Sequence, residues 1–151
     1  MAEKTKEVKY AIFYIIKNPK NSSEILIVKR PKDDNDLPNM WGIPAGSVKE
    51  NETYEKALIR AGKNKLGVEL KVGKLIDRGN LDRGDYILHG EEYEAEIISG
   101  TPSVPQENSE GPQYQDWKYG NYEDLIEMAS KHSLCCNLYL KSIGKEVLGP
   151  I

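Results

Sequence analysis

The sequence predicts an α/β domain, because strand-like and helical patterns alternate along the chain. A run rich in Ile, Tyr and Phe at residues 9–17 is typical of a central strand, and residues 25–28 (ILIV) predict the strand that returns beside it. Helical patterns occupy residues 53–66, 123–131 and 138–147. This alternation favours helices packed on a central sheet.

The segment between the first two helical patterns predicts further strands. Residues 70–77 and 86–88 are strand-like, and residues 91–98 alternate in the way that suits an antiparallel strand with one wet face. A Gly- and charge-rich stretch at residues 78–85 predicts a turn. Further along, Trp117 opens a short strand after a long irregular loop.

The helix at residues 53–66 has a defined start and end. The Thr53 hydroxyl can accept a hydrogen bond from an amide of the first turn, and Glu55 suits the positive end of the helix dipole. Gly67 is placed to adopt the left-handed conformation after the last turn. Four residues recur on one helical face: Tyr54, Ala57, Leu58 and Ala61.

Composition and charge narrow the class of protein. The 151 residues suit one domain spanning residues 1–151, and a net charge of −3 gives no general attraction to nucleic acid or to an anionic membrane. The apolar run at residues 10–16 is too short to span a bilayer, and no cleavage site follows it, so we expect a cytoplasmic protein. Cys135 and Cys136 are adjacent, which favours reduced thiols over a disulfide.

Residues 46–68 resemble the Nudix box, Gly-x5-Glu-x7-Arg-Glu-U-x-Glu-Glu-x-Gly-U, in which U is aliphatic. The preceding IVKR at 27–30 and WGIPAG at 41–46 are also similar to the approach to the box in that family. The resemblance implies a Nudix-like α/β/α sandwich, with helices on both faces of a mixed, curved sheet. Five of the nine specified positions match: Gly46, Glu52, Arg60, Gly67 and Val68.

The other positions depart from the pattern at the residues that carry its chemistry. Ala61, Asn64 and Lys65 stand where the family has three glutamates, whose i, i+3, i+4 spacing places them on one helix face. Oxygen ligands of this kind hold magnesium, which neutralises pyrophosphate charge and activates water. The resemblance therefore implies no tightly bound cofactor here, with Mg²⁺ needed only if the protein is active. Gly62 also weakens the helix by about 1 kcal/mol relative to Ala.

The matching residues and the loops supply the candidate catalytic residues. By resemblance, Glu52 and Arg60 support the site, and their ion pair could equally persist as a purely structural contact. Glu107 and Glu110 lie in the loop where some family members place a further catalytic glutamate, although solvated carboxylates are the simpler interpretation. Asp33, Asp34 and Asp36 are expected to be solvated in the loop at residues 31–39.

The candidate ligand-binding residues are Arg30, Gly46 and Lys65. The Lys65 ammonium could contact a phosphate directly at the place of the metal, and Arg30 could reach the same phosphate, although either could be an ordinary surface cation. By resemblance, the Gly46 carbonyl faces the metal position. Five aromatic residues are considered as stacking partners for a base, with core packing favoured for the two tryptophans: Tyr14, Trp41, Tyr86, Tyr114 and Trp117.

Three functions remain open from the sequence. The first is a Nudix-like protein that binds a nucleoside diphosphate linked to another moiety, or a similar phosphorylated ligand, with pyrophosphohydrolase activity lost or weak. The second is an active pyrophosphohydrolase whose metal is held by Glu52, Glu107 and Glu110. The third is a protein-interaction module. The expected partner is a nucleotide-like small molecule, and a homodimer is left open.

Overall fold

The computed structural model describes residues 5–34, 36–106 and 113–151. The strands are β1 (Glu7–Asn18), β2 (Asn21–Lys29), β3 (Trp41–Gly42), β4 (Ala45–Ser47), β5 (Glu69–Asp82), β6 (Tyr86–Ser99) and β7 (Asp116–Gly120). The α-helices are α1 (Tyr54–Ala61), α2 (Ile126–Ser130) and α3 (Leu134–Ser142). A π-helical turn (Gly62–Leu66) continues α1, and a 3-10 turn (Tyr122–Leu125) precedes α2.

The sheet is mixed and is organised around β1. Its order is β3-β2-β1-β6-β5, with β4 paired to β1 and β7 paired to β2. The β1–β6 pair is parallel, and the remaining pairs are antiparallel. β1 therefore borders β2, β4 and β6, and it carries the β4 segment on which the candidate site is built.

Helices cover both faces of this sheet, which confirms the predicted sandwich. Ile12, Tyr14 and Ile16 of β1 pack with α1, since alternate residues of a strand point to opposite faces. Phe13 and Ile15 pack on the other face with α2 and α3. Because β1 is buried on both sides, its apolar run is continuous rather than alternating.

We refer to α1 together with its π-helical turn (Tyr54–Leu66) as the box helix. Its predicted start is confirmed, since the Thr53 hydroxyl accepts a hydrogen bond from the Lys56 amide at 3.1 Å. Its predicted end is also confirmed, because Gly67 is left-handed with φ 70°. The sequence did not indicate the π-helical turn, a feature that is often found at functional sites.

Several predicted boundaries were wrong, for a common physical reason. β2 begins at Asn21, and β5 continues to Asp82 through the predicted turn, because residues 78–82 pair with residues 87–91 of β6. The last helix runs from Leu134 to Ser142 rather than over residues 138–147, with Ser133 as its N-cap. Long-range strand pairing and burial override local composition at these places.

Within the described ranges, no helix combines the length and the apolar character needed to cross a bilayer.

Candidate ligand-binding cleft

A cleft of about 310 Å³ opens between the box helix, β4 and the end of β2. Small residues form much of its wall, and three cationic side chains border it. The described residues that line it are Ala11, Arg30, Pro31, Ala45, Gly46, Ser47, Arg60, Ala61, Asn64, Lys65 and Tyr114.

The box helix presents Ala61, Asn64 and Lys65 to this cleft. The three positions share one face despite the π-helical turn that begins at Gly62. Ala61 is 3% exposed, whereas Asn64 and Lys65 are half-buried at the cleft wall. The side chains at the three positions where the resemblance implies carboxylates thus carry a net charge of +1 on the cleft.

Gly46 brings β4 into close contact with the box helix. A Cβ atom added at Gly46 would lie 2.8 Å from the Ala61 Cβ and 3.4 Å from the Ile12 Cδ1. Cβ atoms do not normally approach each other this closely, so packing against Ala61 requires a glycine here. The strand and the helix consequently meet along the wall of the cleft.

Glu52 and Arg60 form a bidentate ion pair. The Arg60 Nε donates to Glu52 Oε2 at 2.9 Å, and Arg60 Nη2 donates to Glu52 Oε1 at 2.9 Å and to the Ser47 carbonyl at 2.7 Å. The Lys49 amide also donates to Glu52 Oε1, at 3.0 Å. Hydrogen bonding from Arg60 lowers the pKa of Glu52 to about 2.

The pair ties the loop before the box helix to the helix itself. Arg60 lines the cleft, whereas Glu52 belongs to a neighbouring groove and is not among the described residues that line the cleft. Both carboxylate oxygens of Glu52 accept hydrogen bonds from the Arg60 guanidinium. This arrangement suits a structural contact.

Arg30 lines the cleft at the end of β2 and is held by Asp34. The Arg30 Nε donates to a carboxylate oxygen of Asp34, and this hydrogen bond lowers the pKa of Asp34. The Asp34 side chain is only 8% exposed, so the expectation that this aspartate is solvated was wrong. Residues 30–34 form a turn rather than a helix, so their i, i+4 spacing gave no signal for this pair in the sequence.

Tyr114 closes the cleft from a distant part of the chain. The Ala45 amide donates to the Tyr114 hydroxyl at 3.1 Å, and the hydroxyl lies 3.2 Å from the Ala45 carbonyl, to which it donates. The neighbouring Gln115 amide donates to the Lys29 carbonyl at 2.9 Å. The segment before β7 is therefore fixed against both β2 and β4. The sequence suggested Tyr114 only as a stacking residue.

The described residues around this cleft do not fit a magnesium ion. Hard cations need oxygen ligands, and the side chains that line the described wall of the cleft include no carboxylate. The Ser47 and Ala45 carbonyls already accept hydrogen bonds, from Arg60 and Tyr114. Across the described ranges, no group of three or more His, Cys, Asp or Glu residues is arranged to hold a metal. Glu107 and Glu110 lie outside the residues that the structure describes.

The family model of the NUDIX domain matches residues 8–133, which include the sheet core, the box helix and the cleft. This chain belongs to the Nudix family. No curated protein matches the chain.

Solved structures share the fold at low sequence identity. A MutT protein from Methanosarcina mazei Go1 has a TM-score of 0.71 at 13% identity, covering 94% of this chain and 97% of that one. A NUDIX hydrolase from Nitrosomonas europaea has a TM-score of 0.70 at 9% identity, covering 96% and 94%. An ADP-ribose pyrophosphatase from Streptococcus suis has a TM-score of 0.56 at 14% identity, covering 78% and 76%. At these identities the likeness shows the fold alone.

Proposed function

We propose that this Nudix-family chain binds a phosphorylated ligand of the nucleoside diphosphate type, or one similar to it, in the cleft and hydrolyses it weakly or not at all. The observation that carries the proposal is the charge of the box helix at the cleft. Ala61, Asn64 and Lys65 together carry +1 where three glutamates would carry −3.

The size of this charge change favours binding over catalysis. Two unit charges about 4 Å apart interact with about 4 kcal/mol at an effective dielectric constant of 20. Replacing a carboxylate that attracts a divalent cation by an ammonium that repels it therefore weakens binding of the cation by several kcal/mol, even after screening. The same cation at position 65 attracts a phosphate, and Arg30 and Arg60 border the same cleft.

The named relatives support a phosphate-containing ligand. One of the similar structures is an ADP-ribose pyrophosphatase, whose name gives a diphosphate as its substrate. This chain shares that fold, and its cleft has Ala61, Asn64 and Lys65 where the resemblance implies carboxylates. Binding without efficient hydrolysis is the function that this combination favours.

A paired binding and hydrolysis assay tests the proposal. A thermal-shift screen over nucleoside diphosphate compounds in EDTA should show stabilisation, and added Mg²⁺ should give none beyond it. Phosphate release with Mg²⁺ or Mn²⁺ should stay near background. Lys65→Gln should weaken ligand binding, whereas Lys63→Gln, an exposed lysine on the same turn, should not.

Two results would count against the proposal. Efficient turnover in Mg²⁺ would favour an active pyrophosphohydrolase with its metal held outside the box helix. Failure of every phosphorylated compound to stabilise the protein would favour the protein-interaction module.

A further inference from the structure

The positions of the aromatic residues indicate whether the cleft can hold a ligand with a nucleobase. This inference rests on the proposed function, in which the cleft binds a phosphorylated ligand. The chain has nine tyrosines, two tryptophans and one phenylalanine, and all of them lie in the described ranges. Among them, Tyr114 alone lines the cleft. Its ring is 8% exposed and its hydroxyl is bonded to Ala45, so little of the ring remains for a base to stack on.

The other candidate stacking residues are engaged elsewhere. The Lys118 ammonium lies 4.6 Å from the Trp41 ring centre, and the Lys9 ammonium lies 4.3 Å from the ring centre of Tyr86. Trp117 packs edge-on against Tyr119, with 5.7 Å between the ring centres. Tyr14 is 0% exposed in the core. None of these four rings lines the cleft.

The residues outside the described ranges add no aromatic side chain to these. Residues 107–112 have the sequence ENSEGP, and residue 35 is an asparagine. Base recognition without sequence-specific hydrogen bonds depends on such stacking platforms. This cleft therefore lacks an aromatic platform on which a nucleobase could stack.

The size and charge of the cleft favour a small anionic molecule. A volume of about 310 Å³ is at the lower end of the roughly 300–1,000 Å³ that ligand pockets span. Arg30, Arg60 and Lys65 border it, with Arg30 paired to Asp34 and Arg60 paired to Glu52. The remaining described wall is built mainly from alanine, glycine and proline. A diphosphate with at most one sugar fits this space better than a ligand with a base and two sugars.

We infer that the cleft binds a compact phosphorylated ligand without a nucleobase, such as inorganic pyrophosphate or a phosphorylated sugar. Its recognition depends on the three cations rather than on aromatic stacking.

Calorimetry in EDTA at fixed ionic strength tests this inference. The probes are inorganic pyrophosphate and ribose 5-phosphate as compact ligands, with ADP and ADP-ribose as the ligands that carry a base. We expect the tighter compact probe to bind within about threefold of ADP or better, since stacking of a base otherwise adds about 5- to 160-fold in affinity. The ranking of the two compact probes tells a diphosphate site from a sugar-phosphate site.

Variants separate the contributions to binding. Lys65→Gln should weaken both compact probes by about tenfold, because it removes a charged phosphate contact. The matched change Lys63→Gln, on an exposed lysine of the same helical turn, should leave both affinities unchanged.

The outcomes distinguish the inference from the proposed function. If ADP or ADP-ribose binds more than about threefold more tightly than both compact probes, the inference is overturned while the proposed function stands. If no probe binds, both fail.

Discussion

At the level of single residues, Gly46 and Ala61 set how closely β4 approaches the box helix. A Cβ on Gly46 would lie 2.8 Å from the Ala61 Cβ, and neither atom belongs to a flexible side chain. The backbone must therefore move to admit a larger residue. The contact fixes the wall on which Asn64 and Lys65 face the cleft.

We predict that Gly46→Ala lowers the free energy of unfolding by about 1–3 kcal/mol, the usual cost of overpacking a well-packed site. Urea denaturation measures the change. Adding Ala61→Gly should recover part of the loss, so the two changes should be non-additive in a double-mutant cycle. Equal stability of Gly46→Ala and the wild type would show that the contact is not tight.

Glu52 gives a pH-dependent test of the ion pair with Arg60. Because its pKa falls to about 2, its contribution is complete above its ordinary value of 4.5 and is lost as pH falls towards 2. We predict that Glu52→Gln lowers the free energy of unfolding by about 1–2 kcal/mol at pH 7. Between pH 5 and pH 2, the stability of this variant should fall less steeply than that of the wild type. Chemical denaturation across this range measures it.

The exposed Glu50, in the same loop, provides the matched control. Glu50→Gln should keep both the stability and the acid sensitivity of the wild type. An acid profile for Glu52→Gln that matches the wild type would show that the pair contributes nothing to stability.

At the level of elements, the box helix changes from an α-helix to a π-helical turn at Gly62. A Cβ there would lie 2.4 Å from the Leu70 Cδ1 and 2.7 Å from its Cγ. Leu70 is 2% exposed on β5, so it has little room to move. The glycine that appears in the sequence only as a weak point of the helix is required by the packing of the sheet.

Because Gly62 packs against Leu70, a variant that restores a metal site must keep this glycine. We predict that Ala61→Glu, Asn64→Glu and Lys65→Glu together, with Gly62 retained, lower the apo melting temperature because three carboxylates repel one another. Added Mg²⁺ should then raise the melting temperature by several degrees, as expected when an ion binds only the native state. Thermal unfolding with and without Mg²⁺ measures both effects.

The single variants serve as controls for the triple variant. Asn64→Glu alone should gain little from Mg²⁺, because its carboxylate would pair with Lys65. A folded triple variant that does not respond to Mg²⁺ would show that the cleft has diverged beyond the three side chains.

At the scale of the whole molecule, Glu92 lies in the layer between the sheet and α3. It is 0% exposed, and neither carboxylate oxygen has a hydrogen-bond partner among the described residues. Burial raises its pKa well above the ordinary value, and the nearby Cys135 and Asp77 raise it further. Burial and, to a smaller extent, Glu92 raise the pKa of Tyr139 of α3. The raised pKa of Glu92 means that the native state favours its protonated carboxyl group.

We predict that Glu92→Leu raises the free energy of unfolding at pH 8 by about 1–3 kcal/mol, by removing an unsatisfied buried polar group. The native state binds a proton that the unfolded chain releases above pH 4.5, so this contribution to stability falls as pH rises. The free energy of unfolding of Glu92→Leu should therefore fall less between pH 5 and pH 8 than that of the wild type. Chemical denaturation across this range measures the difference. Glu96→Leu, on the exposed part of β6, should change stability by less than about 0.5 kcal/mol.

The sequence alone determined the features that depend on neighbours along the chain. The Thr53 cap and the left-handed Gly67 delimit the box helix, and each acts through groups within five residues of itself. The apolar run of β1 identified the centre of the sheet, because a strand buried on both faces has few polar residues. The shared face of residues 61, 64 and 65 followed from helical spacing.

Tertiary structure alone decided how the cleft closes. Tyr114 bonds to Ala45 across 69 positions of sequence, and Leu70 dictates the glycine at position 62 from another element. The sequence favoured packing for the two tryptophans, and both pack against the core. It gave no sign that the Tyr86 ring contacts Lys9 rather than the cleft. Such contacts depend on how the elements pack in three dimensions, and a pattern with a period of two or 3.6 residues carries no information about them.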